Sequence, residues 1–239
     1  MTYLDQYAQQ VEAFVAVCHR LAKNMYVTGY GGNLAWKLED DLVLITPTQR
    51  NKGDIEPEDV VFINLAGDKI EGKHRSTGET PMYLKFFNDR PDIVSVLHCH
   101  PPAVCAMAIM EGPNWLMRPF YPETTTEIGP VPIVPYAEPL TDKLAENFAP
   151  YLQKYNSFIM ENHGLVTMSL GDIKWTLFNI EVLESTAQSI LMALGAGVGL
   201  KELGKQEVVD LGNVMKARDL PLFGAPGVNE SLEDMYFGS

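Results

Sequence analysis

The chain carries five histidines: His19, His74, His98, His100 and His163. Two of them form His98-Cys99-His100, at the end of an apolar, β-branched run that begins at Ile93. Side chains at i and i+2 of a strand project to the same face. Two imidazoles therefore stand side by side, with Cys99 turned to the opposite face. Such a pair suits a divalent metal about 2.0–2.1 Å from each nitrogen. A third imidazole, His163, lies between two further strand-like runs and precedes Gly164, which lets another group approach the backbone closely. Three histidines with an open position is the pattern of a catalytic zinc rather than a structural one. A His-x-His pair by itself is equally compatible with a hydrogen-bonded core pair, since neutral imidazoles are less costly to bury than charges. What surrounds the pair decides between the two.

The elements that must position these groups follow from periodicity. Residues 4–23 read as a helix, with Val11, Phe14, Val15, Cys18, Leu21 and Ala22 at three- and four-residue intervals. Gly29, Gly31 and Gly32 then turn the chain ahead of Asn33. Residues 42–45 and 60–63 are buried strands, with a turn over 64–67. A helix over 80–88 stops at Arg90-Pro91, and 93–98 is a central strand. Residues 101–110 return to helix, with proline in the first turn. The Pro-rich stretch 113–139 holds one short strand, 131–134. Thr141 caps a helix that carries Leu144, Phe148 and Leu152 on one face. Residues 157–161 and 164–168 are strands around Asn162-His163. The longest helix, 172–194, closes at Gly195 and Gly197. A last helix spans 201–217, and the Gly-, Pro- and acid-rich tail 219–239 reads as mobile. No internal repeat or low-complexity linker divides the chain. Short strands mixed with helices throughout its length predict one α/β domain with a mixed, partly antiparallel sheet, not a doubly wound one.

Composition narrows the ligand. The 239 residues are 46% hydrophobic and 21% charged, with 18 Lys plus Arg against 31 Asp plus Glu, a net charge of −13. That excludes a general nucleic-acid binder, which needs a basic face, and a polybasic membrane-surface protein. A small anion remains compatible, because local groups can hold one. Three cysteines are too few, and too odd in number, for a disulfide framework. The opening MTYLDQYAQQ lacks a secretory pattern, and no run approaches the ~18 apolar residues of a membrane span. The expectation is a reducing, cytoplasmic location.

Gly31-Gly32-Asn33, Ile45-Thr46-Pro47-Thr48, Ser76-Thr77-Gly78-Glu79-Thr80-Pro81, Arg90-Pro91-Asp92, the His-x-His pair and Glu161-Asn162-His163-Gly164 occur in that order. This ordered set, over residues 5–215, resembles the class II aldolase/adducin family. The resemblance implies a single-domain α-β-α layered fold with a central mixed, largely antiparallel sheet flanked by helices. It implies one Zn2+ per subunit, or another divalent metal, held by His98, His100 and His163. Glu79 falls where the family's aldolases place an acid that can ligate zinc and then act as general base. Tyr121 falls where fuculose-phosphate aldolase carries a proton donor for the departing aldehyde oxygen. Gly32, Asn33, Thr48, Gln49, Thr77 and Gly78 fall in the phosphate-binding pattern, with Gln49 where fuculose-phosphate aldolase has Gly and Thr77-Gly78 in place of Ser-Ser. Family members usually form homotetramers with active sites at subunit boundaries, so Tyr121 is expected to reach a neighbour's zinc.

The chemistry so implied is retro-aldol cleavage of a ketose phosphate, a small-molecule sugar phosphate, through a metal-stabilised enediolate. Alternatives are a decarboxylase of a 3-oxo sugar-acid phosphate at the same zinc site, a sugar-phosphate epimerase, and a non-catalytic adducin-like interaction module. A module of that kind has no need of Glu79 and the three histidines. Arg50, Lys52, Lys73 and Arg75 are nearby basic residues that serve either the phosphate or the solvated loops. Trp36, Trp115 and Trp175 read as packing residues, with Trp115 also placed to line a substrate pocket. Tyr236 and Phe237 are candidates for an aromatic tail that closes the site.

Overall fold

A computed structural model describes residues 2–238. The strands are β1 (Asn33–Glu39), β2 (Leu42–Ile45), β3 (Val61–Ile63), β4 (Lys69–Glu71), β5 (Ser95–Cys99), β6 (Ile133–Val134), β7 (Ser157–Met160) and β8 (Gly164–Ser169). They form one sheet in the order β4-β3-β2-β1-β5-β8-β7-β6. Every pairing is antiparallel except β6 with β7. The fold is the mixed, largely antiparallel α-β-α arrangement expected.

Alternation along the strands divides the core in two. Leu34, Leu44, Leu97, Cys99 and Leu165 face one side, against α2 (Ala8–Lys23), α4 (Pro102–Ala108) and α8 (Ile173–Gly195). Ala35, Ile45, Val96, Val166 and Met168 face the other, against α3 (Thr80–Asp89), α6 (Asp142–Asn147) and α7 (Ala149–Leu152). α8 starts where Asp172 Oδ1 accepts hydrogen bonds from the N–H groups of Lys174 and Trp175, satisfying donors that the first turn would leave open. It ends ahead of Gly197, whose φ of 73° is the left-handed conformation that helix ends use.

Five expectations change. The first helix is broken at Tyr7 into α1 (Tyr3–Gln6) and α2. β1 and β4 were not foreseen, although β1 lies near the middle of the sheet. The Pro-rich stretch contains α5 (Pro122–Glu127), started by a proline at its first position. The tail read as mobile carries α10 (Leu232–Phe237), which packs on α9 (Lys205–Ala217) through Leu232, Val208, Met215 and Phe223. Trp175 is 57% exposed rather than packed.

Arg90, seen in the sequence as a helix stop, is a buried brace. Its guanidinium forms a two-point pair with Asp92 and donates to the carbonyl of Leu152 and to Asn156 Oδ1. It thereby ties the end of α3 to α7 and to the entry of β7. Arg90→Met leaves Asp92 without its cation and removes the guanidinium donor from the buried Leu152 carbonyl. It is expected to destabilise the protein by about 3–5 kcal/mol and to lower Tm by roughly 10 °C, as read by calorimetry.

Candidate active site

The antiparallel register gathers the chemistry at one end of the sheet. Asn33, first in β1, is opposite His98 near the end of β5, and His98 is opposite Val166 in β8. His98 shares the α3 side of the sheet with Val96 and Ala35. Its Nδ1 lies 3.0 Å from the carbonyl oxygen of Leu165. A carbonyl only accepts, so Nδ1 carries the proton and Nε2 keeps its lone pair for the site.

His100 follows the strand end, where its N–H donates to the Tyr26 carbonyl. Its ring is held between two glycines. A Cβ on Gly31 would lie 3.1 Å from the ring, and one on Gly164 would lie 2.5 Å from Cδ2. His163 sits in the β7–β8 turn, made possible by Asn162 at a φ of 55°. The three rings lie with centroids 4.8, 4.8 and 5.5 Å apart, and one nitrogen from each falls within 4.8 Å of the others. His98 Nε2 and His100 Nε2 are 3.1 Å apart. Two nitrogens on one tetrahedral metal at 2.0–2.1 Å are roughly 3.3 Å apart, so the donor set fits such an ion. His163 Nδ1 is buried with no hydrogen-bond partner. Burial pushes His98 and His100 down to about 3 and also lowers His163. All three are therefore neutral at neutral pH, the form that ligates metal.

Glu79, at the start of α3, completes the group. It is buried, with Oε2 3.7 Å from His98 Nε2 and Oε1 3.9 Å from His163 Nε2. Asn33 Nδ2 donates to Oε2 at 2.7 Å. The Tyr83 hydroxyl lies 2.6 Å from both Asn33 Oδ1 and the Asn33 carbonyl, fixing which way the amide points. Asn33, expected to bind phosphate, is thus engaged first in orienting Glu79.

These residues line a cavity of about 200 Å³ together with Gly32, Thr48, Gln49, Lys52, Thr77, Gly78 and Leu140. Gln49 adopts a φ of 54°, a left-handed conformation that costs glycine least. That accounts for the glycine expected there from the resemblance. Tyr121 is not brought to the cavity. It is 44% exposed and lines a separate depression beside Phe178 and Ser185 of α8. Trp115 packs against the main core and under the Arg118 guanidinium, outside the cavity. Tyr236 is half-buried in the separate cluster around α9, and Phe237 is exposed. Lys73, His74 and Arg50 converge on Asp59 at 3.1, 2.9 and 3.5 Å.

Two contributors escaped sequence reading. Tyr83 looked like core, and its hydroxyl meets Asn33 fifty residues away. Glu184, one of two glutamates in α8, is buried and accepts from the N–H groups of Ala103 and Val104. It caps α4, which begins two residues after His100.

A triad of neutral imidazoles that could hold a metal ion stands beside an oriented carboxylate at the end of a largely antiparallel sheet. The chain matches the family described as Class II Aldolase and Adducin N-terminal domain over residues 12–191, and it belongs to that family. It is 31% identical over 169 residues to a 3-oxo-tetronate 4-phosphate decarboxylase of Pectobacterium atrosepticum, covering 70% of this chain and 77% of the relative. It is 32% identical over 175 residues to an L-fuculose phosphate aldolase of Methanococcus maripaludis, covering 73% and 92%. The crystal structure of Klebsiella pneumoniae YgbL, described as a candidate aldolase/epimerase/decarboxylase, superposes with a TM-score of 0.79 at 29% identity, covering 85% and 98%. These relatives support an enzyme of the class II aldolase superfamily. No helix among the described residues is long and apolar enough to cross a membrane.

Gly164→Ala forces its Cβ into His100 and the Cys99 carbonyl. It is expected to destabilise by about 1–3 kcal/mol and to shift the His100 ring resonances, read by thermal unfolding and NMR. In metal-free protein, the depressed histidines make stability depend on pH. It is fully present above the unfolded value near 6.5 and is lost as pH falls toward about 3, because only the unfolded chain takes up those protons. The drop between about pH 6.5 and 5, above the carboxylate range, is expected to shrink in His98→Asn.

Proposed function

We propose that the protein is a divalent-metal-dependent carbon–carbon lyase that cleaves a ketose phosphate by retro-aldol reaction. The observation that carries this is the convergence of three neutral imidazoles on one oriented carboxylate in a small cavity. Zinc or another divalent ion, held by His98, His100 and His163, would supply Lewis-acid stabilisation of charge on the substrate's carbonyl and adjacent hydroxyl oxygens.

Glu79 is the general base. Asn33 occupies Oε2, which leaves Oε1 to take the proton from the hydroxyl on the carbon beyond the breaking bond. That oxygen then closes to an aldehyde, and the electron pair of the carbon–carbon bond passes toward the neighbouring carbonyl. The charge of Glu79 is neutralised as it accepts the proton, so a buried position beside the triad suits it better as a base than as an acid. Gly32, Asn33, Thr48, Gln49, Thr77 and Gly78 form the wall for the phosphate. Tyr121 of a neighbouring copy, in a homotetramer with active sites at the subunit boundaries, is assigned to hydrogen-bond the aldehyde oxygen as it departs, and the proton held by Glu79 returns to the carbon that keeps the electron pair. The location we assign is the reducing cytoplasm, where Cys18, Cys99 and Cys105 stay as thiols.

Decarboxylation of a 3-oxo sugar-acid phosphate is the second reading. One observation favours it: a relative named as such a decarboxylase.

A panel of ketose phosphates and 3-oxo-acid phosphates, assayed with zinc, separates the two readings by product: an aldehyde or CO2. Glu79→Gln is expected to retain metal by elemental analysis and to lose about 10²–10⁴-fold in turnover. Unchanged turnover removes Glu79 as the base. Protein that is metal-free when purified without chelators, and gains nothing from added zinc, points to an adducin-like binding module instead.

A further inference from the structure

Lys52 opens the short 3-10 turn Lys52–Asp54, packed beneath α2, and lines the same cavity as the triad. It is only 2% exposed. Its ammonium donates to the carbonyl oxygens of Tyr30 and Arg50, both at 3.0 Å. An ammonium has three donors, and the third meets no acceptor among the described residues. No carboxylate of the described residues pairs with it within 4.0 Å. Burial pushes its pKa down, partly offset by the negative charge of Glu79. A buried cation without a counter-charge is costly to a folded protein, so its retention needs a partner that arrives from outside.

The neighbouring wall has the complementary character. The backbone N–H groups of Gly32, Gln49 and Gly78 make no hydrogen bond to another described residue, and neither does the Thr48 hydroxyl. All four residues line the cavity. Four uncommitted donors beside a buried ammonium match a group with several acceptor oxygens and more than one negative charge. We propose that Lys52 supplies the counter-charge for the phosphate monoester of the substrate, and so sets the preference for a phosphorylated substrate over a neutral one. The other nearby cations do not fill this role: Arg50 and Lys73 are already engaged with Asp59 at the surface, and Arg75 does not line the cavity.

The inference rests on the reading of this cavity as the site of a phosphorylated substrate. Its test needs no turnover, so a failed lyase assay and a failed Lys52 assignment are separate results. The probe is inorganic phosphate, titrated calorimetrically into metal-loaded wild type, Lys52→Met and His100→Ala. Saturable binding by wild type is expected, weakened about tenfold or more in Lys52→Met and retained in His100→Ala. Phosphate is expected to raise the Tm of wild type and not that of Lys52→Met. Without phosphate, Lys52→Met is expected to be at least as stable as wild type, because it removes an unpaired buried charge. The assignment is overturned if wild type does not bind phosphate, or if Lys52→Met binds it equally. Loss of binding in His100→Ala instead overturns it by placing the anion on the metal. A Lys52→Met Tm that starts low yet rises with phosphate as wild type does overturns it too, because Lys52 is then only a tie between two carbonyls.

Discussion

The register of β5 is the constraint on which the site depends. His98 is paired with Asn33 on one side and Val166 on the other. Side chains alternate along a strand, so a one-residue slip would exchange the His98 face for that of Leu97 and Cys99. The imidazole would then point into the apolar core against α2 and α8, away from Glu79. Apolar alternation enforces the register: Leu97 and Cys99 belong to one core, Val96 to the other. The packing that stabilises the sheet is therefore the same packing that aims the ligand, and no separate device is needed for His98.

His100 and Glu79 lie outside the strands and need anchors of another kind. Both ends of the β5 segment are held by buried charged groups with full sets of partners. Arg90 braces the approach to the strand through Asp92, Leu152 and Asn156. Glu184 holds the exit, where its carboxylate meets the open N–H groups and the positive end of α4. Between them, Gly31 and Gly164 press on the His100 ring from two sides. Glu79 is fixed by a relay of another sort, Tyr83 to Asn33 to Glu79, each link a buried hydrogen bond. The relay crosses from α3 to β1 and back, so the carboxylate is aligned to the sheet rather than to its own helix alone.

Sequence patterns carried the metal-ligand residues because strand alternation is a local property. His98-Cys99-His100 declares its geometry in three residues, and the β7–β8 turn declares itself through Asn162-His163-Gly164. The face of α2 was likewise legible from its periodicity, with Val11, Phe14, Val15, Cys18 and Leu21 all buried. β1 was hidden by the glycines before it and by Lys37 and Glu39 within it, which blur the alternation. The tail was misread because Gly, Pro and acidic residues dominate its composition, while the few apolar groups that dock it, Phe223 and Leu232, are far apart. The bonds of Asn33 to Glu79 and Tyr83 were not legible, because both partners are contributed by a distant helix. Tyr121 was expected to reach a neighbour's site, and within one chain it stands at the start of α5, facing α8.

Net charge misleads about the pocket for a related physical reason. A total of −13 is spread over a solvated surface, where salt screens each charge beyond about 8–10 Å. Within the cavity, distances of 3–4 Å and a low local dielectric give the decision to the nearest groups. Glu79 is the one carboxylate that lines it, and Lys52 lines it too. With the imidazoles neutral, the protein's own charges in the cavity come to one negative and one positive. A dication at the triad would tip the cavity to net positive without any change to the acidic exterior. Metal binding and anion binding are then linked through charge: each lowers the electrostatic cost of the other.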